Sequence, residues 1–234
     1  MSLQSKDISY SVVNAIYSAL GGDTGFVYTR KDAITLTGTS GTASITNNGV
    51  TATATWRNSP TITASDFVTA NAAAFLTSGI TLTSSGAILS FTKTTNGTAF
   101  TGATTAANLT GTLAGTVTNA DTNYPVYKSI PGAPASVYIR IGEVIESEDG
   151  TKEDFIYRGS VPIIVCDESQ NLQADKKKAQ NILNVVRGLL KPTKASVPSG
   201  FITFSHGGKT EWVDLNDESK PLIRIADTME FIIE

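Results

Sequence analysis

Between Ser136 and Asp167 the chain reads SVYIRIGEVIESEDGTKEDFIYRGSVPIIVCD, with apolar and polar residues alternating along two arms. Val137, Ile139 and Ile141 alternate with Tyr138 and Arg140 on the first arm. On the second, Phe155, Tyr157, Val161, Ile163 and Val165 alternate with Arg158, Ser160 and Pro162. A period of two over this length predicts strands with one face on a core. Glu146 to Asp154 carries most of the acid and is expected at the solvated tip of a long hairpin. Pro162 has no N–H for a ladder, so its strand is expected at a sheet edge or to contain a bulge there.

Helical stripes stand on either side of this hairpin. Ile8, Val12, Val13, Ile16 and Leu20 repeat at the spacing of one buried face, with Asp7 or Ser5 able to cap the start and Gly21-Gly22 to stop it. Ala179, Ile182, Leu183, Val186 and Leu190 make a second stripe; Lys176, Lys177 and Lys178 lie towards its first turns and Lys191-Pro192 ends it. Downstream, FITFSHGGKTEWVDL predicts a hairpin turning at Gly207-Gly208. PLIRIADTMEFIIE places Ile223, Ile225, Met229, Phe231 and Ile233 on one face. Helix, strands, helix, strands is the order of an α+β sheet with two helices on one face.

From about Gly21 to Asn123 the texture changes: charge is sparse, and Thr, Ala, Gly, Ser and Asn dominate. A shift at both ends predicts an inserted domain, 21–123, in a discontinuous host formed by 1–20 and 124–234. Inside it, Asn48-Gly49 and Asn96-Gly97 are hairpin signals. SDFVTANAAAFLTSGI reads as one helix, capped by Ser65 or Asp66 and stopped by Gly79. ITLTGTSGTASIT (34–46) resembles ITLTSSGAILSFT (80–92), but two copies are too few for a solenoid. A compact β-rich module with one helix, Ig-like or β-sandwich-like, is expected.

The 234 residues are 40% hydrophobic, enough for a packed core, and carry a formal net charge of -3. That charge predicts neither nucleic-acid affinity nor attraction to an anionic membrane. No apolar run approaches the roughly 20 residues of a membrane span. The N-terminal MSLQSKDISYSVV lacks the pattern of a secretory signal, so the cytoplasm, or a particle assembled there, is the expected compartment. Cys166 is the single cysteine, which excludes a disulfide within the chain and suits a strand position.

Candidate chemistry is thin. His206, the only histidine, sits beside Gly207-Gly208 and is expected to be exposed, with no partner evident for general-base work. One His and one Cys cannot supply a zinc site. Glu146, Glu148, Asp149 and Glu153 do not match the spacing of a calcium loop. The glycines of LTGTSGTAS lack the Gly-Lys-Ser/Thr of a phosphate loop. NGT at Asn96 and NLT at Asn108 match the glycosylation pattern by chance in so Thr-rich a segment. Lys176 to Lys178 read as a solvated face. No catalytic, cofactor-binding or metal residue is assigned.

Taken together, SVVNAIYSAL, then VYKSIPGAPASVYIRIGEVIESEDGTKEDFIYRGSVPIIVCD, then KKKAQNILNVVRGLL and the closing strands resemble the tail terminator (tail completion) proteins of tailed bacteriophages. The shared pattern is a helix, a segment with Pro131 and Pro134 before the first long strand, a charged connection, the strand GSVPIIV and a helix ending in Leu-Leu. It covers about 130 residues of the sequence, and the insert at 21–123 departs from it. The resemblance implies a non-enzymatic virion protein, assembled in the bacterial cytoplasm, that forms a ring, commonly a hexamer. Such a ring caps the tail tube, ends its polymerisation and joins it to the head connector. Its partners would be the tail tube protein and a neck protein, with DNA only passing through the lumen and no membrane contact. The hairpin's polar face offers both charge signs to a neighbour, so Arg140, Glu143, Glu146, Glu148, Asp149, Lys152, Glu153 and Arg158 are the expected subunit contacts. A head–tail connector or stopper of the neck is an alternative. So, from a different class, is a bacterial surface adhesion module in which the insert is the working part.

Overall fold

These patterns become strands and helices in a computed structural model that describes residues 5–150, 155–168, 171–190, 195–197, 200–214 and 222–233, some through the backbone alone. In chain order they form α1 (Ser5–Ala19), a 3-10 turn (Gly22–Thr24), β1 (Phe26–Thr29), β2 (Lys31–Thr37), β3 (Gly41–Asn47), β4 (Val50–Thr55), α2 (Pro60–Thr77), β5 (Ile80–Ser85) and β6 (Ile88–Lys93). There follow β7 (Thr105–Gly111), β8 (Ala114–Asn119), β9 (Thr122–Tyr124), β10 (Val126–Tyr127), β11 (Val137–Ile141), β12 (Ile145–Gly150) and β13 (Phe155–Glu168). Last come α3 (Leu172–Leu189), β14 (Ala195–Val197), β15 (Gly200–Asp214) and β16 (Leu222–Ile233). The fold is mixed α+β with a β-rich portion.

Two compact units divide the chain: Tyr28–Thr122, and the discontinuous pair Met1–Val27 with Asn123–Glu234. The Gly21–Gly25 turn and buried Phe26 therefore belong to the outer unit, although the composition shift begins before them. β1 and β9 pair as a two-stranded ribbon, so the chain leaves and re-enters the outer unit at adjacent points. Gly25 permits that approach. Its φ is +78°, and a Cβ there would lie 2.8 Å from the Tyr124 carbonyl oxygen.

In the outer unit β13 is the spine. On one side it pairs antiparallel with β11, from Val137↔Asp167 to Ile141↔Ile163, and further along with β12, from Ile145↔Ser160 to Gly150↔Phe155. On its other side it pairs with β16. The sheet order is β10-β11-β13-β16-β15-β14. The long hairpin thus forms, but Glu146, Glu148 and Asp149 lie within β12 rather than at a tip. Residues 151–154, with Lys152 and Glu153, are outside the described residues.

Pro162 is central, not at an edge, and the interruption lies in the opposite arm. β11 stops at Ile141 and β12 starts at Ile145, while Gly142 N donates to the Pro162 carbonyl at 2.8 Å. The missing N–H of Pro162 therefore points at a gap in the ladder, where it forfeits no bond. A Cβ on Gly142 would lie 2.4 Å from Pro162 Cγ, so only glycine lets the arm pass the ring.

The expected hairpin at Gly207-Gly208 does not form. β15 runs straight through both glycines and pairs with β16 on either side of them, Ser205↔Glu230 before and Lys209↔Asp227 after, with a register shift between His206 and Gly208. Gly-Gly here relaxes a bulge instead of reversing the chain.

One face of this sheet is apolar. Ile139, Ile141, Val161, Ile163, Val165, Ile223, Ile225, Met229 and Phe231 are buried there. α3 packs on it through Ala179, Ile182, Leu183 and Val186 and makes polar contacts to three of the strands beneath. Lys178 pairs with Asp167 on β13 at 3.0 Å. Arg187 donates two bonds of 2.8 Å to Asp227 on β16. Lys176 and Gln180 both reach Glu211 on β15 at 2.8 Å. Asn171 caps α3 by accepting from Ala174 N at 3.3 Å, and Asp175 accepts from Asn171 N at 2.9 Å. α1 buries Val12 and Ile16, with Leu20 just beyond its end.

The inner unit is a sandwich with one helix. Its sheets have the orders β5-β6-β2-β8 and β4-β3-β7. Ile34, Leu36, Ile80, Leu82, Leu89 and Phe91 of the first share a core with Ala43, Ile45 and Ala54 of the second and with Ala64, Phe67 and Phe75 of α2. Phe75 meets Phe91 edge-on, centroids 5.2 Å apart. Asn48 and Gly49, at φ 49° and 79°, make the expected hairpin between Asn47 and Val50. Asn96-Gly97 does not repeat it: Gly97 N donates to the Tyr28 carbonyl, and the chain crosses from β6 in one sheet to β7 in the other. α2 also starts earlier than expected, with Ser59 as the cap and Pro60 at the first helical position. The two similar sequence segments are not equivalent, since β5 and β6 pair with each other whereas β2 and β3 lie in different sheets.

The glycines that superficially suggest a phosphate loop are structural. Gly38 and Gly41 have φ of +109° and +90°, and Cβ atoms on them would lie 2.2 Å and 1.8 Å from the carbonyl oxygens of Thr112 and Thr110. Thr112 Oγ1 in turn accepts from the N–H groups of Thr39 and Ser40 at 2.8 and 3.1 Å. The loop is closed by its own chain.

Candidate assembly surface

Alternation along β11, β13 and β16 gives the sheet a second face, opposite α3. Register rows run Tyr138–Cys166–Arg224 and Arg140–Ile164–Ala226 across it. The expectation of one core face is incomplete here, because Tyr138, Ile164, Cys166 and Ala226 form a second buried cluster, joined by Tyr127 and Leu222. The Tyr127 and Tyr138 rings lie 5.4 Å apart. Burial, then the hydrogen bond to Cys166, push the Tyr138 hydroxyl up to about 12. Burial also raises the Cys166 thiol, against the opposing pull of Tyr138, Arg224 and Arg140. A thiol held protonated and 2% exposed is a packing group and not a nucleophile.

Further along the same face is an open pocket of about 330 Å³, lined by Ile145, Arg158, Gly159, Ser160, Ser205, Glu230, Phe231 and Ile232. It holds a cation and an anion, Arg158 and Glu230, two hydroxyls, and two isoleucines exposed at 68% and 37%, Ile145 and Ile232. Of these residues only Arg158 is among the expected subunit contacts. The signal was present, since Glu230 and Ile232 occupy the polar phase of PLIRIADTMEFIIE, where an isoleucine is out of place.

Of the expected contact residues, Arg140 is half-buried in the row with Ile164, Glu143 is exposed in the gap between β11 and β12, and Arg158 is exposed beside the pocket. Glu146, Glu148 and Asp149 are placed by backbone register, opposite Gly159, Tyr157 and Ile156. The described members of the set are therefore spread along β11, the gap, β12 and β13 and do not converge on one point. His206 lies in β15 at the bulge, and its side chain is outside the description. Among the described residues there is no group of three His, Cys, Asp or Glu that could hold a metal. No described helix is long and apolar enough to cross a membrane. Neither models of known protein families nor the curated proteins yield a match to this chain.

Proposed function

We propose that this chain is a non-enzymatic structural subunit that assembles into a ring at the end of a phage tail tube, stopping its polymerisation and joining it to the neck. What carries the reading is the element order of the outer unit: a helix, the long β11–β12–β13 arm, α3, then β15 and β16, continuing across an insertion. This is the order on which the resemblance to tail terminator proteins rests. A hexamer is the expected ring, with the tail tube protein and a neck protein as partners, DNA passing through the lumen, and the virion as location. A connector or stopper of the neck shares the ring but not the tube as partner. Negative-stain microscopy with light scattering, on the protein alone and after incubation with tail tubes, tests it. Rings that seat on tube ends support a terminator, and rings that bind only head connectors favour the stopper. A protein that stays monomeric alone and with tubes sinks both.

A further inference from the structure

The core-facing row of β3 runs Ala43, Ile45, Asn47, and its last member breaks the apolar pattern although it is 0% exposed. β7 pairs with β3 as far as Thr46↔Thr105, so the next residue, Thr104, stands across from Asn47 at the end of the ladder. Asn47 Nδ2 donates to Thr104 Oγ1 at 2.7 Å. Asp32 reaches the same hydroxyl from the other sheet. It is half-buried on the face of β2 that also carries Ile34 and Leu36, and its Oδ2 accepts from Thr104 Oγ1.

Asn47 Oδ1, fully buried, meets no donor among the described residues. Buried amide oxygens are normally paired, and the neighbouring Asn48 shows how. Its Nδ2 donates to the Ser78 carbonyl at 2.7 Å, and its Oδ1 accepts from Thr101 N at 2.7 Å. The Asn47 amide is held on one side only, by a hydroxyl that a carboxylate already holds. Carboxylate, hydroxyl and amide in one hydrogen-bonded line are a base, a nucleophile and an electrophile.

We propose that the inner unit matures by forming an ester bond between Thr104 and Asn47, with Asp32 as the base. Asp32 takes the hydroxyl proton as Oγ1 bonds to Asn47 Cγ, one covalent bond from Nδ2. The Cγ–Nδ2 bond then breaks, Asp32 returns the proton to the departing nitrogen, and ammonia leaves. Amide and alcohol become ester and ammonia, nothing is oxidised or reduced, and Asp32 ends as it began. The reaction happens once per chain and needs no site open to a substrate. Two conditions favour it. The buried amide oxygen without a donor, a costly group, gives way to an ester carbonyl, which is a weaker acceptor. Burial of Asn47 also keeps out the water that would hydrolyse the product. The bond joins residues 57 apart and closes a loop holding β4, α2, β5 and β6. It restrains the chain as a disulfide does, in a protein whose single cysteine cannot form one internally.

Mass spectrometry of the full-length protein, as purified and after extended incubation, tests it. The expected intact mass is lower than that of the sequence by one ammonia. Digestion should then yield one product joining the peptides that hold Asn47 and Thr104, and hydroxylamine, which cleaves esters, should separate them. Thr104→Ser should keep the loss, whereas Thr104→Val and Asp32→Asn should show the full mass. The wild-type digest decides the matter even where a variant fails to fold. A wild-type chain that retains its full mass after incubation would overturn the proposal. So would an ammonia loss that maps to Asn48-Gly49 as a cyclic imide, or one that persists in folded Thr104→Val.

Discussion

Asp167 lies under α3 at the end of β13, 1% exposed, with Lys178 Nζ 3.0 Å from Oδ2. The ammonium is within ion-pair distance but not in hydrogen-bond alignment, so Oδ2 keeps an unmet acceptor. Burial raises the Asp167 carboxyl above its ordinary value, and Lys178 works against that rise. A carboxyl whose folded pKa is raised stabilises the fold fully below its unfolded value and loses that contribution as pH rises through the folded one. Lys178→Met should therefore cost about 3 kcal/mol near neutral pH, the low end for a broken buried pair, because Lys178 itself is part-solvated. The cost should shrink as pH falls towards about 4, and adding Asp167→Asn should recover most of it at neutral pH. Urea unfolding at the two pH values measures this, and an equal penalty at both would contradict it. Two glycines offer a second test, of sterics alone. Gly49 and Gly41 both have positive φ, but a Cβ on Gly49 meets nothing within 4 Å whereas one on Gly41 meets the Thr110 carbonyl oxygen at 1.8 Å. Gly49→Ala should cost about 1–2 kcal/mol. Gly41→Ala should cost well over that and prevent the inner unit from unfolding cooperatively in a thermal scan.

At the scale of elements, α2 starts on the dipeptide Ser59-Pro60. Ser59 Oγ accepts from Ile62 N at 3.2 Å, and Thr63 Oγ1 donates to the Ser59 carbonyl at 2.9 Å. Ser59→Ala should destabilise the inner unit by about 1 kcal/mol, while the same change at Ser65, exposed within the helix, should leave the unfolding midpoint nearly unmoved. If Ser65→Ala proves the more costly, the cap is elsewhere. The misplaced start has a physical reason: Pro60 reads equally as the end of a strand or as the first turn of a helix, and tertiary contacts decide. Where a stripe was long, the element was legible. Ala179, Ile182, Leu183 and Val186 foretold α3, and the alternation of Val161, Ile163 and Val165 foretold β13. Where glycine pairs were read in isolation, they misled. Asn48-Gly49 turns because Asn47 and Val50 pair with each other, whereas Gly207-Gly208 cannot, because both flanks pair with β16. The pocket on the outer sheet was legible only in part, since its lining comes from β12, β13, β15 and β16, and only long-range register brings Arg158 and Glu230 to one place.

The whole molecule is two units threaded by one chain, and the crossing is confined to one ribbon. Val27 and Asn123 are the last and first outer-unit residues, and the strands that contain them, β1 and β9, are paired. The base of the inner unit is closed by its own contacts: Asp121, its side chain 3% exposed, accepts from Arg30 at 2.8 Å and from Lys31 N at 2.7 Å. Its core cluster likewise draws on its own two sheets and helix. The pairing of β1 with β9 brings the two ends of the inserted unit close together, and ends this close tolerate excision. Replacing 28–122 by a short Gly/Ser linker should leave an outer unit that unfolds in one cooperative transition. If the ring contact is made by the outer unit, which is retained, its light-scattering mass should correspond to the same number of subunits as the intact chain. The two ways of failing are distinct. A shortened chain with no cooperative transition would mean that the inner unit is needed to fold the outer one. A shortened chain that folds but stays monomeric, where the intact protein assembles, would move the subunit contact off the outer sheet and onto the Thr-rich sandwich, which is where an adhesion module would carry it.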